Sequence, residues 1–545
     1  MKRIFLLFLV IRYLTVPAIA QSTSQPNFVF ILTDDHRYDM LGATGHPLVQ
    51  TPHLDQLAKE GVLFTNAHIT SAICTPSRVS IFLSQFERKH GVNFNSGTSM
   101  AQEAWEDSYP VRLRENGYYT GYIGKNHTPI GEGGYRSGVM EASFNYWYAG
   151  HGHLSFYPKD RHAIFQAAQN DTQVELLNEG MDDFFSNEQK LEGAIHFLQS
   201  RPKDQPFCLS IAFNLPHSAS TSTMKLLESD SSLYRTRYRE LEIPLPNHYI
   251  AKKDITSPKL PPEIHFAAER QTSYNFVDTE ESTKERIIRS MQTVTGIDGF
   301  VGNLRATLDA QGLDENTIIV FTSDHGLFFG EFGLGGKALC YEIVTHVPMI
   351  MYNPLAPHAA KGSVSDELVQ TIDIAPTLLA YAGIEIPKSY QGENLTPLLE
   401  GKDQQVRDYL YTENLWSNHF GNPRCESVQN KDWKYIRYYK NENLRASVKI
   451  ETAKLFGIKQ ADMMYKQYDP DIARYRYYVE APLQGEEAVY EELYHLEVDP
   501  EETDNLANED SYRQKLEELR GVWKEKIAYA RGEGLPKVLR YTSNQ

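Results

Sequence analysis

Three unbroken apolar runs, each ending in acidic or imidazole groups, constrain this chain more than any other feature. Asn27 to Leu32 (NFVFIL) leads into Thr33-Asp34-Asp35. Phe207 to Phe213 leads into Asn214-Leu215-Pro216-His217, and Thr317 to Phe321 (TIIVF) into Ser323-Asp324-His325-Gly326. A run without polar alternation suits a strand buried on both faces, as in a parallel sheet covered by helices. Helical patterns fall between these runs: His53 to Glu60, with Leu54, Leu57 and Ala58 on one stripe, a helix closing over Arg112 to Asn116, Leu191 to Gln199, and the long Lys284 to Ala310. Tyr119 to Ile123 reads as a further strand. Strands alternating with helices predict an α/β fold: a large mixed, mostly parallel sheet sandwiched by helices.

The polar, Pro-rich stretch from Ser218 to Gln271 reads as an excursion over the surface. After Leu399 the pattern changes. Trp433 to Tyr438 and Leu493 to Val498 are half-alternating strands, and Tyr512 to Tyr529 is an amphipathic helix, so a smaller α+β unit on an antiparallel sheet is expected. The expected division is 1–20, 21–400 and 401–545.

Residues 1–20 read as a processing segment. Met1-Lys2-Arg3 is positive, Ile4 to Ile11 is apolar, and Ala18-Ile19-Ala20 is an A-x-A cleavage pattern. Arg12 interrupts the apolar run well short of the ~20 residues that span a bilayer, so the expectation is a secretory signal rather than a stable membrane span. It places the protein outside the cytoplasm, in a bacterial periplasm or at the cell surface. Lys and Arg number 54 against 71 Asp and Glu, a net charge of −17, which argues against a general nucleic-acid binder. Four cysteines in 545 residues cannot staple the chain, and each is read individually.

In open α/β sheets ligands sit beyond the carboxyl ends of the strands, so Asp34, Asp35, His217, Asp324 and His325 are able to converge. Carboxylates brought together raise one another's pKa unless a cation neutralises them. A divalent metal is the economical explanation, and mostly oxygen ligands favour Ca²⁺ or Mg²⁺, with Mn²⁺ or Zn²⁺ compatible with the imidazole.

Cys74-Thr75-Pro76-Ser77-Arg78 reads C-x-P-S-R. Pro76 suits the first turn of a helix and leaves residue 74 near its positive end, where an oxyanion is stabilised. The motif resembles that of the type I sulfatases of the alkaline phosphatase superfamily, whose cysteine is oxidised to formylglycine by a separate enzyme. The likeness takes in Asn27 to Asp35, Thr51-Pro52-His53-Leu54-Asp55, Gly121-Tyr122-Ile123-Gly124-Lys125-Asn126-His127, Pro216-His217, Thr317 to Gly326 and Gly336-Lys337. It ends at Leu493-Tyr494-His495-Leu496 with the run from Asp499 to Leu506. Asp324-His325, in place of Asp-Asn, is similar to the iduronate-2-sulfatase-like branch. Two positions depart from the family: Phe82-Leu83-Ser84 stand where Leu-Thr-Gly is usual, and Asn126 where Trp is common.

The resemblance implies that Asp34, Asp35, residue 74, Asp324 and His325 hold one divalent cation, Ca²⁺ first, with Mg²⁺ or Mn²⁺ as alternatives. It implies that Arg78 steadies residue 74 and that Lys125 and Lys337 neutralise sulfate oxygens. His217 would protonate the leaving alcohol and His127 would take a proton from residue 74. Its implied partners are a sulfated carbohydrate and a formylglycine-generating or anaerobic sulfatase-maturating enzyme. Two other readings stay open: a phosphodiester or phosphonate monoester hydrolase, and a non-catalytic glycan-binding protein. Asp55, Asp298, Glu331 and Glu342 lie in family-like segments, but capping or ion pairing is expected of them.

Overall fold

The computed structural model describes residues 25–93, 98–134, 137–151, 193–217, 232–261, 276–357, 360–402, 405–415, 423–439, 478–533 and 538–540. The expected signal segment lies outside them. The first apolar run forms β1 (Asn27–Asp34), buried at every position. Its side chains alternate between two cores. Phe28, Phe30 and Leu32 pack on one face of the sheet, and Val29 and Ile31 on the other. Two apolar faces explain the absence of polar alternation in this run.

The main sheet adds β2 (Val62–Phe64), β3 (Tyr119–Asn126), β4 (Tyr146–His151), β5 (Phe207–Pro216), β6 (Thr317–Ser323), β7 (Met349–Tyr352) and β8 (Ser363–Ser365). Its order is β8-β2-β7-β6-β1-β5-β3-β4. Every pairing is parallel except the two made by β7, which runs antiparallel between β2 and β6. β1 pairs with β6 from Asn27↔Thr317 to Thr33↔Ser323, so the two strands end level and present Asp34-Asp35 beside Asp324-His325.

Among the described residues, six helices cover the faces. On one side, α1 (Pro52–Glu60), α4 (Gly193–Ser200) and α5 (Glu280–Ala310) contribute Leu54, Phe197 and Ile297 to one core. On the other, α2 (Cys74–Leu83), α3 (Tyr109–Glu115) and α6 (Ile374–Tyr381) contribute Phe82, Leu113 and Leu378. All ten residues of α2 are buried, so the helix presents no face to solvent.

A second sheet of four antiparallel strands follows: β9 (Leu410–Asn414), β10 (Arg424–Gln429), β11 (Trp433–Tyr439) and β12 (Tyr490–His495), with α7 (Arg513–Arg531) packed on it. The architecture is the expected one, a large mixed and mostly parallel sheet between helices with a smaller antiparallel sheet toward the C-terminus. Two local expectations differ. The strand read over Leu493 to Val498 begins earlier and ends at His495, because the chain turns through Leu496 to Val498, whose amide donates to the His495 carbonyl. The stretch from Ser218 to Gln271, over its described residues 232–261, is more than a surface excursion. It buries Tyr238, Ile243, Ala251 and Leu260, trading regular hydrogen bonding for apolar anchors.

Candidate active site

The strand-end groups meet. Asp34 closes β1, and Asp35 follows it with a φ of +62°, a left-handed conformation rare for a non-glycine residue and concentrated at functional sites. The amide of Asp35 donates to Asp324 Oδ1 at 3.3 Å, joining the two strand ends. α2 enters from below with Cys74 as its first residue. One turn on, Arg78 Nη2 lies 2.8 Å from Asp34 Oδ2 and Nε 2.8 Å from Asp324 Oδ2, so one fully buried guanidinium ties both acidic strand ends to the helix that carries residue 74. Ser77 Oγ donates to the Asp324 carbonyl at 2.7 Å. Reading the motif for chemistry alone missed that bond, although Ser77 lies within the motif itself.

Lys125, at the end of β3, is fully buried and pairs with Asp34 Oδ2. His127 follows two residues later and is also buried. Lys337 Nζ lies 2.8 Å from Asp35 Oδ1 and 3.5 Å from His325 Nε2. The next residue, Ala338, has a φ of +67°. His325 Nδ1 is 3.1 Å from Asp35 Oδ1, and His217 Nε2, just past β5, is 3.9 Å from Asp35 Oδ2. Asp34, Asp35, Arg78, Lys125, His217, Asp324, His325 and Lys337, separated by up to three hundred residues in sequence, thus meet in one locus.

The charge balance follows from this geometry. Burial alone pushes the Asp34 carboxyl up, but Lys125 and Arg78 outweigh it and hold the group well below the usual carboxylate range. Asp324 is different: burial and the neighbouring Asp34 push it up to about 6 despite Arg78. Burial likewise raises Asp35, against the pull of Lys337 and His325. His325, buried and next to Lys337, is pushed down to about 3 and is neutral, with a lone pair to offer. For Cys74, burial pushes the thiol up while Lys125 and Lys337 pull the other way. Asp34 and Asp324 add to the upward push on this thiol.

The donor set fits a divalent cation. One ligand atom each from Asp34, Asp35 and His325 lie within 4.8 Å of one another. Asp34 Oδ1 is buried and accepts no hydrogen bond, so a carboxylate oxygen is left for a cation. Carboxylates outnumber the imidazole, as hard cations prefer.

Residues 26–384 match the sulfatase family, and residues 330–452 match the family described as N-sulphoglucosamine sulphohydrolase, C-terminal. The chain belongs to the sulfatase family. It is a sulfuric ester hydrolase. An N-acetylglucosamine-6-O-sulfatase of Bacteroides thetaiotaomicron is 26% identical, the alignment covering 92% of this sulfatase and 86% of that protein. Solved structures agree in fold. One, in complex with its substrate D-glucosamine-2-N,6-O-disulfate, superposes with a TM-score of 0.65 at 21% identity, covering 94% of this chain and 99% of the other. A phosphonate monoester hydrolase from Silicibacter pomeroyi superposes with a TM-score of 0.66 at 20% identity, covering 92% and 95%.

The four acidic residues expected to be structural have such partners. Asp55 accepts from Thr51 Oγ1 at 2.9 Å and Asp298 from the Leu54 amide at 2.7 Å. Glu331 pairs with Arg37 at 2.5 Å and Glu342 with Lys434 at 2.9 Å. Among the described residues no helix is long and apolar enough to cross a membrane.

Proposed function

We propose that this sulfatase hydrolyses a sulfate ester on a carbohydrate, acting on a terminal sulfated residue, with formylglycine made from Cys74 and one divalent cation, Ca²⁺ first. The observation that carries the reading is the meeting of Arg78, Lys125 and Lys337 with Asp34, Asp35, Asp324 and His325 around the N-terminal turn of α2. Asp34, Asp35, Asp324 and His325, with residue 74, would hold the cation. When bound it supplies Lewis-acid polarisation of a sulfate oxygen and a template for the reacting groups.

The chain's own residues divide the remaining work. Arg78 fixes two of the carboxylates and, through α2, the position of residue 74. Lys125 and Lys337 place two ammonium groups where sulfate oxygens carry charge, in a site closed to water. His217 sits at the rim, with 12% of its side chain exposed, and protonates the departing alcohol. His127 takes up the proton whose removal from residue 74 releases sulfate. The carbohydrate assignment is supported by the relatives' sulfated amino-sugar substrates. The preference for one terminal residue over an extended polyanion follows from the net charge of −17. The signal-like segment at 1–20 supports export to a periplasm or cell surface, and maturation would need a formylglycine-generating or anaerobic sulfatase-maturating partner.

Peptide mass spectrometry tests the chemistry, because conversion of Cys74 to formylglycine lowers the mass by roughly 18 Da. Expected is a converted peptide in active protein; full turnover by protein with an intact thiol, or by Cys74→Ala, overturns the mechanism. Likeness to a phosphonate monoester hydrolase favours a second reading. Sulfate, phosphate and phosphonate esters of one aryl alcohol separate the two, with the sulfate ester expected to turn over fastest. For a defined oligosaccharide, mapping the sulfate that is lost should find the terminal one; loss from interior residues first would reject terminal action.

A further inference from the structure

Away from the strand ends, His68 lies on the short strand Ala67–His68, while Glu342 opens and His346 follows the single-turn helix Glu342–Thr345. Glu342 Oε2 is 3.8 Å from His68 Nε2 and 3.7 Å from His346 Nδ1, and the three ligand atoms lie within 4.8 Å of one another. His346 Nε2 is 2.8 Å from the Thr65 carbonyl, which only accepts, so Nε2 carries the proton and Nδ1 presents a bare lone pair to the carboxylate. Two electron-rich atoms facing each other repel unless a cation sits between them.

We propose that His68, Glu342 and His346 form a second metal site that takes a zinc-class divalent ion. Two nitrogens and one carboxylate oxygen suit Zn²⁺ better than Ca²⁺ or Mg²⁺. The outer atoms are braced as in metal sites: His346 Nε2 by Thr65, His68 Nδ1 by Thr345 Oγ1 at 3.5 Å, and Glu342 Oε1 by Lys434 at 2.9 Å. Bonds of about 2.0–2.1 Å at a tetrahedral angle bring ligand atoms about 3.3 Å apart, so binding draws each imidazole nitrogen about 0.4–0.5 Å closer to Glu342 Oε2. The two imidazoles stack at 4.8 Å with an 11° tilt, so one ring must also turn. His346 is clamped between this stack and Tyr38 at 3.8 Å, and His68, braced only at 3.5 Å, is the ring that moves. Glu342 and His346 are 20% and 17% exposed, which leaves an entry path and a position for water. Lys434 belongs to β11, so the ion would clamp the C-terminal sheet to the segment that follows Lys337.

The test uses full-length protein stripped with a chelator and kept in millimolar Ca²⁺ to fill the strand-end centre, then titrated calorimetrically with Zn²⁺. Expected is one equivalent of bound zinc and a higher unfolding temperature. His68→Gln and His346→Gln are expected to lose that equivalent while keeping their circular dichroism and calcium-supported desulfation. Co²⁺ gives a second readout without mutation: a tetrahedral nitrogen-rich site yields intense visible bands, whereas an oxygen-rich centre gives weak ones. No zinc bound by the parent protein, or equal zinc binding in both variants, overturns the proposal, and so do weak cobalt bands.

Discussion

His217 is the least enclosed of the candidate groups, with Nε2 3.9 Å from the Asp35 carboxylate and part of its ring reaching the rim. A general acid matters in proportion to the basicity of the leaving alkoxide. His217→Ala should therefore lower kcat by roughly 10²- to 10⁴-fold on a sugar sulfate, and much less on a nitrophenyl sulfate, as steady-state kinetics on the two substrates will read. Ser84 carries a different constraint. It ends α2 with a φ of +51°, the left-handed cap that favours glycine, and so explains why the family's usual residue there is Gly. The serine compensates with its hydroxyl, which donates to the Ile372 carbonyl at 2.7 Å and accepts from the Gly392 amide at 3.0 Å. Ser84→Ala loses both bonds and keeps the strain, a cost of about 2 kcal/mol; Ser84→Gly relieves the strain and should cost about 1 kcal/mol. Denaturant midpoints with an Ala variant as stable as the Gly variant would contradict this account.

Among the elements, the strand-end loop after β6 and the single-turn helix Glu342–Thr345 are pressed together at Gly326. The Gly326 amide donates to the Val344 carbonyl at 2.8 Å, and a Cβ at this glycine would lie 2.1 Å from the Ile343 carbonyl oxygen. Backbone on both sides leaves nothing flexible to yield. Gly326→Ala should cost about 1–3 kcal/mol and displace His325, giving lower activity with the helical circular dichroism retained. An Ala variant with parental activity and unfolding midpoint would show the contact to be softer than the geometry implies. The elements most readable in the sequence were those whose burial left no doubt of type: β1, β5 and β6 as continuous apolar runs, α5 by its length. Where apolar and exposed residues mix, as from Leu493 to Val498, the residue pattern did not locate the turn, because Val498 is 72% exposed and its hydrophobicity reflects no packing.

Across the whole molecule, buried charge ties the second sheet to the short helix Glu87–His90 that follows α2. Arg88 pairs with Glu413 at 3.0 Å and with Glu426, residues of β9 and β10, while Glu426 also accepts from Trp523 Nε1 of α7 at 2.7 Å. Beside this network Glu87 accepts from Ser71 Oγ at 2.6 Å, and burial together with Glu413 pushes its carboxyl up to about 8. His90, one turn on and bonded to Ser80 Oγ at 3.1 Å, is pushed by burial down to about 3. The signs are opposite. Glu87 keeps its proton in the folded state, so its contribution is complete below about pH 4.5 and is lost as pH rises toward 8. His90 must stay neutral, so its contribution is present above about 6.5 and is lost as pH falls toward 3. Unfolding temperature should therefore fall from pH 6.5 to 8.5, and Glu87→Gln should flatten that decline. A decline equally steep in the variant would assign it to other groups.

The chain's own order of residues determined the α/β architecture, the strand ends that carry acid and imidazole, and C-x-P-S-R at the head of a helix. These are local signals: burial on two faces writes a continuous apolar run, and a helix start writes Pro within its first turn. What only the tertiary structure decided is partnership. That Arg78 spans Asp34 and Asp324, that Lys337 faces Asp35 and His325, and that His68 lies against Glu342 and His346 depend on strand register and on the packing of α2. Such contacts join residues from a few to some three hundred positions apart, and no periodicity or spacing along the chain encodes a distance through space.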